Sequence, residues 1–326
     1  VSNNSCVICG RPAWAAETER EWWSPETWKR ESIRGRFCIY HHPDHEAKRE
    51  EFWAVLSEHL DVWAHESPFG ITNEFWDTAL KDFSNFVFPE GRGFAGASFP
   101  IGYFLGAVFK GDADFARARF AGPAEFRGAE FSGRADFSES SLGLGVFREA
   151  LFMGDAEFSR AKLGPSDFAL ARFAHPAYFA EAEFLGEAEF GLASFRSSAC
   201  FAGASFSGEA AFTGSSFYDL ADFTEASFGA KADFRMANFY RRSLFVRARF
   251  SGEAGFFGAS FGKKADFSRA VFLSETDFSL AKFSRSAIFE GAEFKQEPDF
   301  TLVRFGRTPV FPPDMNPLEE NSSSYS

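Results

Sequence analysis

Long apolar runs are missing from this chain. None approaches the ~20 residues a membrane-spanning helix needs, so no membrane span is expected. Cysteine is scarce, with four in 326 residues, which argues against a disulfide-dense extracellular scaffold. Histidine is as thin, six in all, and only His175 lies beyond residue 65. No nucleophile–base pair, phosphate-gripping loop or open metal site can be assembled from what is present, so catalysis is not expected. Tryptophan stops early: all seven (Trp14, Trp22, Trp23, Trp28, Trp53, Trp63, Trp76) precede residue 77. The opening VSNNSC is polar and carries no secretory signal, and a cytoplasmic location is expected.

What is abundant is phenylalanine, 47 residues. In GKKADFSRAVFLSETDFSLAKF, running from Gly262 to Phe283, the rings of Phe267, Phe272, Phe278 and Phe283 return after five, six and five residues. A helix would bring apolar residues back every three or four positions and a simple strand every second one. From Phe94 to Phe311 the chain never goes more than six residues without a Phe or Leu in phase. Two positions before most of them stands a small residue, as at Ala113, Ala124, Ala135, Ser166, Ala232, Ser243, Ala265 and Thr276. A small and a large residue spaced by two share one face of an extended strand. Each unit therefore reads as a short strand and a corner, and a fixed short period of this kind marks a solenoid.

Two irregularities set the number of units per coil. The step shortens from six to five at Leu142–Phe147 and again at Leu163–Phe168, where Leu replaces Phe in phase. If four units close a coil, both defects fall on one corner, and so does the short step Phe99–Phe104; three units would scatter them. The expected fold is an all-β solenoid, a four-sided β-helix of about ten coils at roughly 4.8 Å each. One interior ladder then reads Phe115, Phe137, Phe158, Phe179, Phe201, Phe223, Phe245, Phe267, Phe289.

The triplets ADF at Ala113, Ala135, Ala221, Ala232 and Ala265, AEF at Ala124 and Ala156, and ANF at Ala237 make this stretch resemble the pentapeptide-repeat family. The resemblance implies a right-handed, quadrilateral β-helix over about two-thirds of the chain. Family members of known activity resemble B-form DNA and occupy the DNA site of type II topoisomerases, so the resemblance also brings in a DNA-mimic role. Charge bears on that idea. The net charge is −12, but residues 94–311 hold 27 acidic against 24 basic side chains, so the repeat region is close to neutral. Residues just before the Phe point outward and form acidic columns: Glu125, Asp167, Glu189, Asp233, Asp277 and Asp299 on one side, and Asp114, Asp136, Glu157, Asp222 and Asp266 on the opposite one. These carboxylates are either part of the repeat motif on a solvated surface or an interaction face. No basic patch stands out in the sequence, so direct nucleic-acid binding is not expected. The reading is a non-catalytic scaffold for a protein partner, with modulation of a type II topoisomerase by DNA mimicry as the alternative. The oligomeric state is not legible.

The first 93 residues are a different object. Cys6 and Cys9 in CVICG have the spacing of a metal-gripping turn, and Cys38 and His41 in CIYHH repeat it. Three thiolates and an imidazole make a closed, structural zinc site; His42 or His45 could stand in for His41. The competing reading, free thiols or a redox pair at Cys6 and Cys9, has no thioredoxin-like context. Two amphipathic helices are expected next, over AKREEFWAVLSEHLDVW and TNEFWDTALKDF, the second covering the open end of the solenoid. The expected layout is a zinc module over 1–45, capping helices over 46–93, the β-helix over 94–311, and a proline-rich stop and disordered tail over 312–326. Metal analysis of the purified chain should return one zinc per chain, reduced to background by Cys9→Ser; the same stoichiometry in that variant would refute the site.

Overall fold

The computed structural model describes residues 13, 18–24, 29–35, 41–52, 54, 82–90, 93–313 and 315. Between residues 82 and 313 the chain winds into a β-helix with four sides per coil. Its strands are mostly two residues long and pair in parallel with the equivalent strand one coil away, so like positions meet. Ala135 lies opposite Ala113 and Ala156, for example. One side is an eleven-stranded ladder from Val87–Phe88 to Arg304–Phe305, and the next is a nine-stranded ladder from Ala113–Asp114 to Ala287–Ile288. The other two sides are joined through two longer strands, Arg119–Glu125 and Ser141–Val146.

Inside, the Phe rings form four stacks, named here in chain order. The first begins Phe83–Phe104–Phe126, the second Phe88–Phe109–Phe131, the third Phe94–Phe115–Phe137 and the fourth Phe99–Phe120. Rings one coil apart lie nearly parallel, as for Phe201 and Phe223, with centroids 4.9 Å apart and planes within 2°. The first and third stacks meet edge to face across the core; Phe201 and Phe212 are 5.5 Å apart at 88°. Both are favoured aromatic geometries. The buried alanines two positions earlier, Ala199 and Ala210 among them, leave the room. The ladder read from the sequence is the third stack, in full from Phe115 to Phe289.

The two leucine defects sit where four units per coil places them. Leu142 pairs with Phe120 and with Leu163, and Leu163 with Phe184, all in the fourth stack. The extra residue of a six-residue step is a bulge: between Leu142 and Leu144 the register slips, and Pro123 comes opposite Leu144. Two kinds of corner alternate. After each Phe of the first and third stacks from Phe83 to Phe300 the chain makes a tight turn whose second residue past the ring has positive φ, from Asn85 at 59° to Leu302 at 56°. The residue after that donates its N–H back to the Phe carbonyl, as Ala118 does to Phe115 at 3.0 Å. This is the type II pattern.

The stacks begin half a coil earlier than Phe94. Phe83 stacks on Phe104, Phe88 on Phe109, and Asp82 bridges Tyr103. Asp82 and Phe83, expected to end the second helix, are not helical, because Phe83 and Phe88 are already in phase with the repeat. Most of that segment lies outside the described residues. Among the described residues, the start of the earlier helix meets the first coil. Residues 49–52 and 54 are helical, and the Phe52 ring, fully buried, meets Phe88 edge-on at 5.6 Å. His41 packs against Phe86 at 5.1 Å. Near the N-terminus β1 (Thr18–Ser24) and β2 (Lys29–Gly35) form an antiparallel hairpin, which sequence reading did not anticipate. At the far end Val310 bridges Ile288, and Met315 packs on the core. Among the described residues no helix is long and apolar enough to cross a membrane.

Phe201→Ala should cost about 3–5 kcal/mol in chemical denaturation, and Phe201→Leu clearly less, because the fourth stack already accepts Leu142 and Leu163. Equal losses would show that stacking geometry, not filled volume, sets stability.

Candidate functional site

The eleven carboxylates read from the sequence all do the same local work. Each accepts a hydrogen bond from the backbone N–H two residues on, the group that opens the tight turn. In the first-stack column the donors are Arg127 to Glu125 (3.2 Å), Ala169 to Asp167 (2.9 Å), Gly191 to Glu189 (2.6 Å), Arg235 to Asp233 (3.0 Å), Ser279 to Asp277 (2.8 Å) and Thr301 to Asp299 (2.7 Å). In the third-stack column they are Ala116 to Asp114, Ser138 to Asp136, Ser159 to Glu157, Thr224 to Asp222 and Ser268 to Asp266. This is the side-chain-to-backbone turn that Asp and Asn favour, with Glu reaching the same donor. Several also carry ion pairs: Arg148 to Asp167 at 2.7 Å, Arg134 to Asp136 at 3.0 Å and Lys264 to Asp266 at 2.8 Å.

The environments split the titration of these groups. Burial pushes the carboxyls of Glu125 and Glu189 above the usual Glu range, only partly offset by Arg127 at Glu125 and by the Gly191 N–H at Glu189. Burial also acts upward on Asp233, but the Arg235 guanidinium and backbone N–H outweigh it and hold that carboxyl below the usual range. Asp266 is likewise lowered, its burial outweighed by Lys264 and Ser268.

Of the proposed zinc ligands, Cys6, Cys9 and Cys38 lie outside the described residues. His41 is buried, and its Nε2 donates to the Ser84 carbonyl at 3.3 Å. Nδ1 of His42 accepts the Asp44 N–H at 3.1 Å. No cluster of three His, Cys, Asp or Glu able to hold a metal occurs among the described residues. Cys200 is a free, half-buried thiol, and burial raises its pKa above the usual value, which lowers its reactivity at neutral pH.

Two surface features escaped the sequence reading. The first follows the positive-φ column along the first-stack edge. From Leu170 onward it reads Leu170, Leu192, Gly214, Met236, Gly258, Leu280, Leu302, one residue per coil. Leu192, Met236 and Leu302 are 62%, 56% and 60% exposed. A β-carbon at Gly214 would sit 2.9 Å from Leu192 Cδ2, and one at Gly258 2.6 Å from Met236 Sδ. Both side chains therefore lean over the next coil, where glycine makes room. The same column on the third-stack edge is charged: Arg117, Glu139, Arg160, Glu181, Glu225, Arg247 and Arg269, with Arg160 paired to Glu139 at 3.2 Å and Arg247 to Glu225 at 3.0 Å. Aligning the sequence by coil and reading the second position after each ring would have shown this contrast. The second feature is a basic corner after the second stack, taken up below.

Residues 115–162, 212–260 and 256–304 match the family model described as pentapeptide repeats (9 copies). No curated protein matches the chain. Among solved structures it is similar to that of trypsin-treated QnrB1, a plasmid-mediated fluoroquinolone resistance protein, at 16% identity over 64% of this chain and 90% of that one, with a TM-score of 0.28.

The titrations make opposite predictions. Asp233, whose side chain is 3% exposed, contributes stability that is complete above its unfolded pKa of about 3.9 and is lost as pH falls through its lower folded value. Asp233→Asn should therefore cost about 1–3 kcal/mol at pH 7, with the deficit closing below pH ~4. Ionised Glu189 destabilises the fold above its raised pKa, and that penalty disappears on acidification. Glu189→Gln keeps the acceptor for Gly191, so it should raise Tm at pH 7, with the gain shrinking as pH falls toward ~4.3. Thermal melts at several pH values check both; pH-independent effects would contradict the assignments.

Proposed function

The chain is a pentapeptide-repeat protein, and from that premise we propose that it acts without catalysis, as a rigid scaffold presenting its apolar ridge to a protein partner. The observation that carries this reading is the ridge of Leu170, Leu192, Met236, Leu280 and Leu302. A left-handed backbone costs an L-residue roughly 1–2 kcal/mol, and exposure of a large apolar side chain to water is unfavourable on top of that. The fold demands positive φ here but not an apolar side chain, since the equivalent positions across the rod hold Arg, Glu and Gly. Five doubly disfavoured residues in one line are accounted for if a partner covers them. The ridge spans six coil steps, roughly 29 Å at 4.8 Å each, and its single row of knobs fits an apolar groove on another protein better than a flat face.

The DNA-mimic reading comes second, because every carboxylate it relies on is already engaged by a turn N–H. A structural zinc site at Cys6, Cys9, Cys38 and His41, and a cytoplasmic location, belong to the same proposal.

The triple variant Leu192→Asn, Met236→Asn, Leu280→Asn separates the readings, because Asn tolerates the left-handed conformation. Its Tm should match or exceed that of the parent, and a partner that the parent captures stoichiometrically from native lysate should be lost. Arg117→Asn with Glu139→Asn on the opposite edge should retain it. A partner held by the acidic columns would survive the ridge substitutions, and that result would overturn the proposal in favour of mimicry.

A further inference from the structure

The corner after the second stack changes character in the C-terminal half of the rod. The first residue past the ring is Arg196, Tyr218, Tyr240, Gly262 and Ser284 in successive coils. Backbone hydrogen bonds from Tyr240 to Phe217 and from Gly262 to Phe239 hold the column in register. The Tyr218 and Tyr240 rings stack at 4.7 Å and 11° while exposed to solvent, and the Arg196 guanidinium lies 5.0 Å from the Tyr218 centroid. Tyr218 is thus covered on both faces. Tyr240 is covered on one only, because Gly262 puts no side chain beside the other, and a β-carbon there would meet the Tyr240 carbonyl oxygen at 2.7 Å.

Next to this stack runs a row of cations. The second residue past the ring is Arg241, Lys263, Arg285 and Arg307 in four consecutive coils. All four are exposed, and none forms an ion pair among the described residues; Lys264 beside them is paired with Asp266. Like charges in neighbouring strands repel, so the row is electrostatically unfavourable by itself. Asp219, Leu220, Arg241, Arg242, Lys263 and Lys264 line a surface pocket of about 480 Å³. Asp219 marks the end of the row, where an anion would turn away. The sequence conceals this patch because its members are 22 residues apart and the region's net charge is near zero.

We propose that this corner binds single-stranded nucleic acid, with one base stacking on the open face of Tyr240 and the phosphates following Arg241, Lys263, Arg285 and Arg307. A basic track beside an exposed aromatic platform is the general recipe for sequence-tolerant single-strand binding. A free nucleotide would use the ring and the pocket but not the outer two cations, and an acidic peptide would use the cations but not the ring.

The test is fluorescence anisotropy of the full chain with a labelled 12-nucleotide oligo(dT), a double-stranded competitor, a mononucleotide and poly-Glu. The expected outcome is micromolar binding of the single strand that weakens steeply between 50 and 200 mM salt. Tyr240→Ala should weaken it about tenfold, with an unchanged thermal melt. Lys263→Glu with Arg285→Glu should weaken it further and flatten the salt dependence, while Arg117→Glu on another edge leaves it intact. Binding unaffected by Tyr240→Ala, equal affinity for poly-Glu or the mononucleotide, or no binding at tens of micromolar would each overturn the proposal.

Discussion

The structure rests on a phenylalanine ring meeting its own counterpart one coil later. A centroid spacing near 4.9 Å, as for Phe158 and Phe179, is both the rise of a parallel β ladder and a favourable distance for offset rings. Backbone hydrogen bonding and side-chain stacking thus ask for the same repeat, and neither has to yield. Four rings per coil fill the interior, with the buried alanines giving them room. The charged side chains of the described coils lie outside these ring stacks.

The outside is made of columns, and a column's backbone conformation constrains it before any partner does. A carboxylate ahead of a first- or third-stack ring can hold the turn N–H, which is why Asp and Glu recur there and why all eleven are bonded to it. Residues two past those rings must adopt positive φ, which suits Gly or Asn. Arg and Glu on one edge, and Leu and Met on the other, depart from that preference. Where the local rule is broken without visible local gain, the departure points toward a contact outside the chain.

Much of the core was legible because its signal is short in range. Steps of five and six residues show by eye, and the Leu142 and Leu163 defects, 21 residues apart, count four sides per coil. The apolar ridge and the basic corner were not legible in a linear reading. Leu170 and Leu192, or Arg241 and Lys263, become neighbours only when the chain is folded at 22 residues per coil. The N-terminal end was misjudged for a different reason. Phe83 lies in a segment with helical apolar spacing, yet it is also in phase with the rings, and the stack on Phe104 prevails. Because a helix and the first coil compete for the same aromatic residue, the boundary follows packing and not local periodicity.

The central claim is that four stacked sides close each coil along the whole rod. A distance measurement between spin labels at Ser194 and Arg304, introduced as unnatural side chains so that Cys200 stays in place, tests it most directly. These positions lie on one side, joined by five successive pairings through Ser216, Asn238, Ser260 and Lys282. A four-sided coil predicts one narrow distribution near 24 Å, five rises of ~4.8 Å. A three-sided coil of about 16 residues would take the same 110 residues through nearly seven turns, so a distance of ~33 Å, or a broad distribution, would contradict the account.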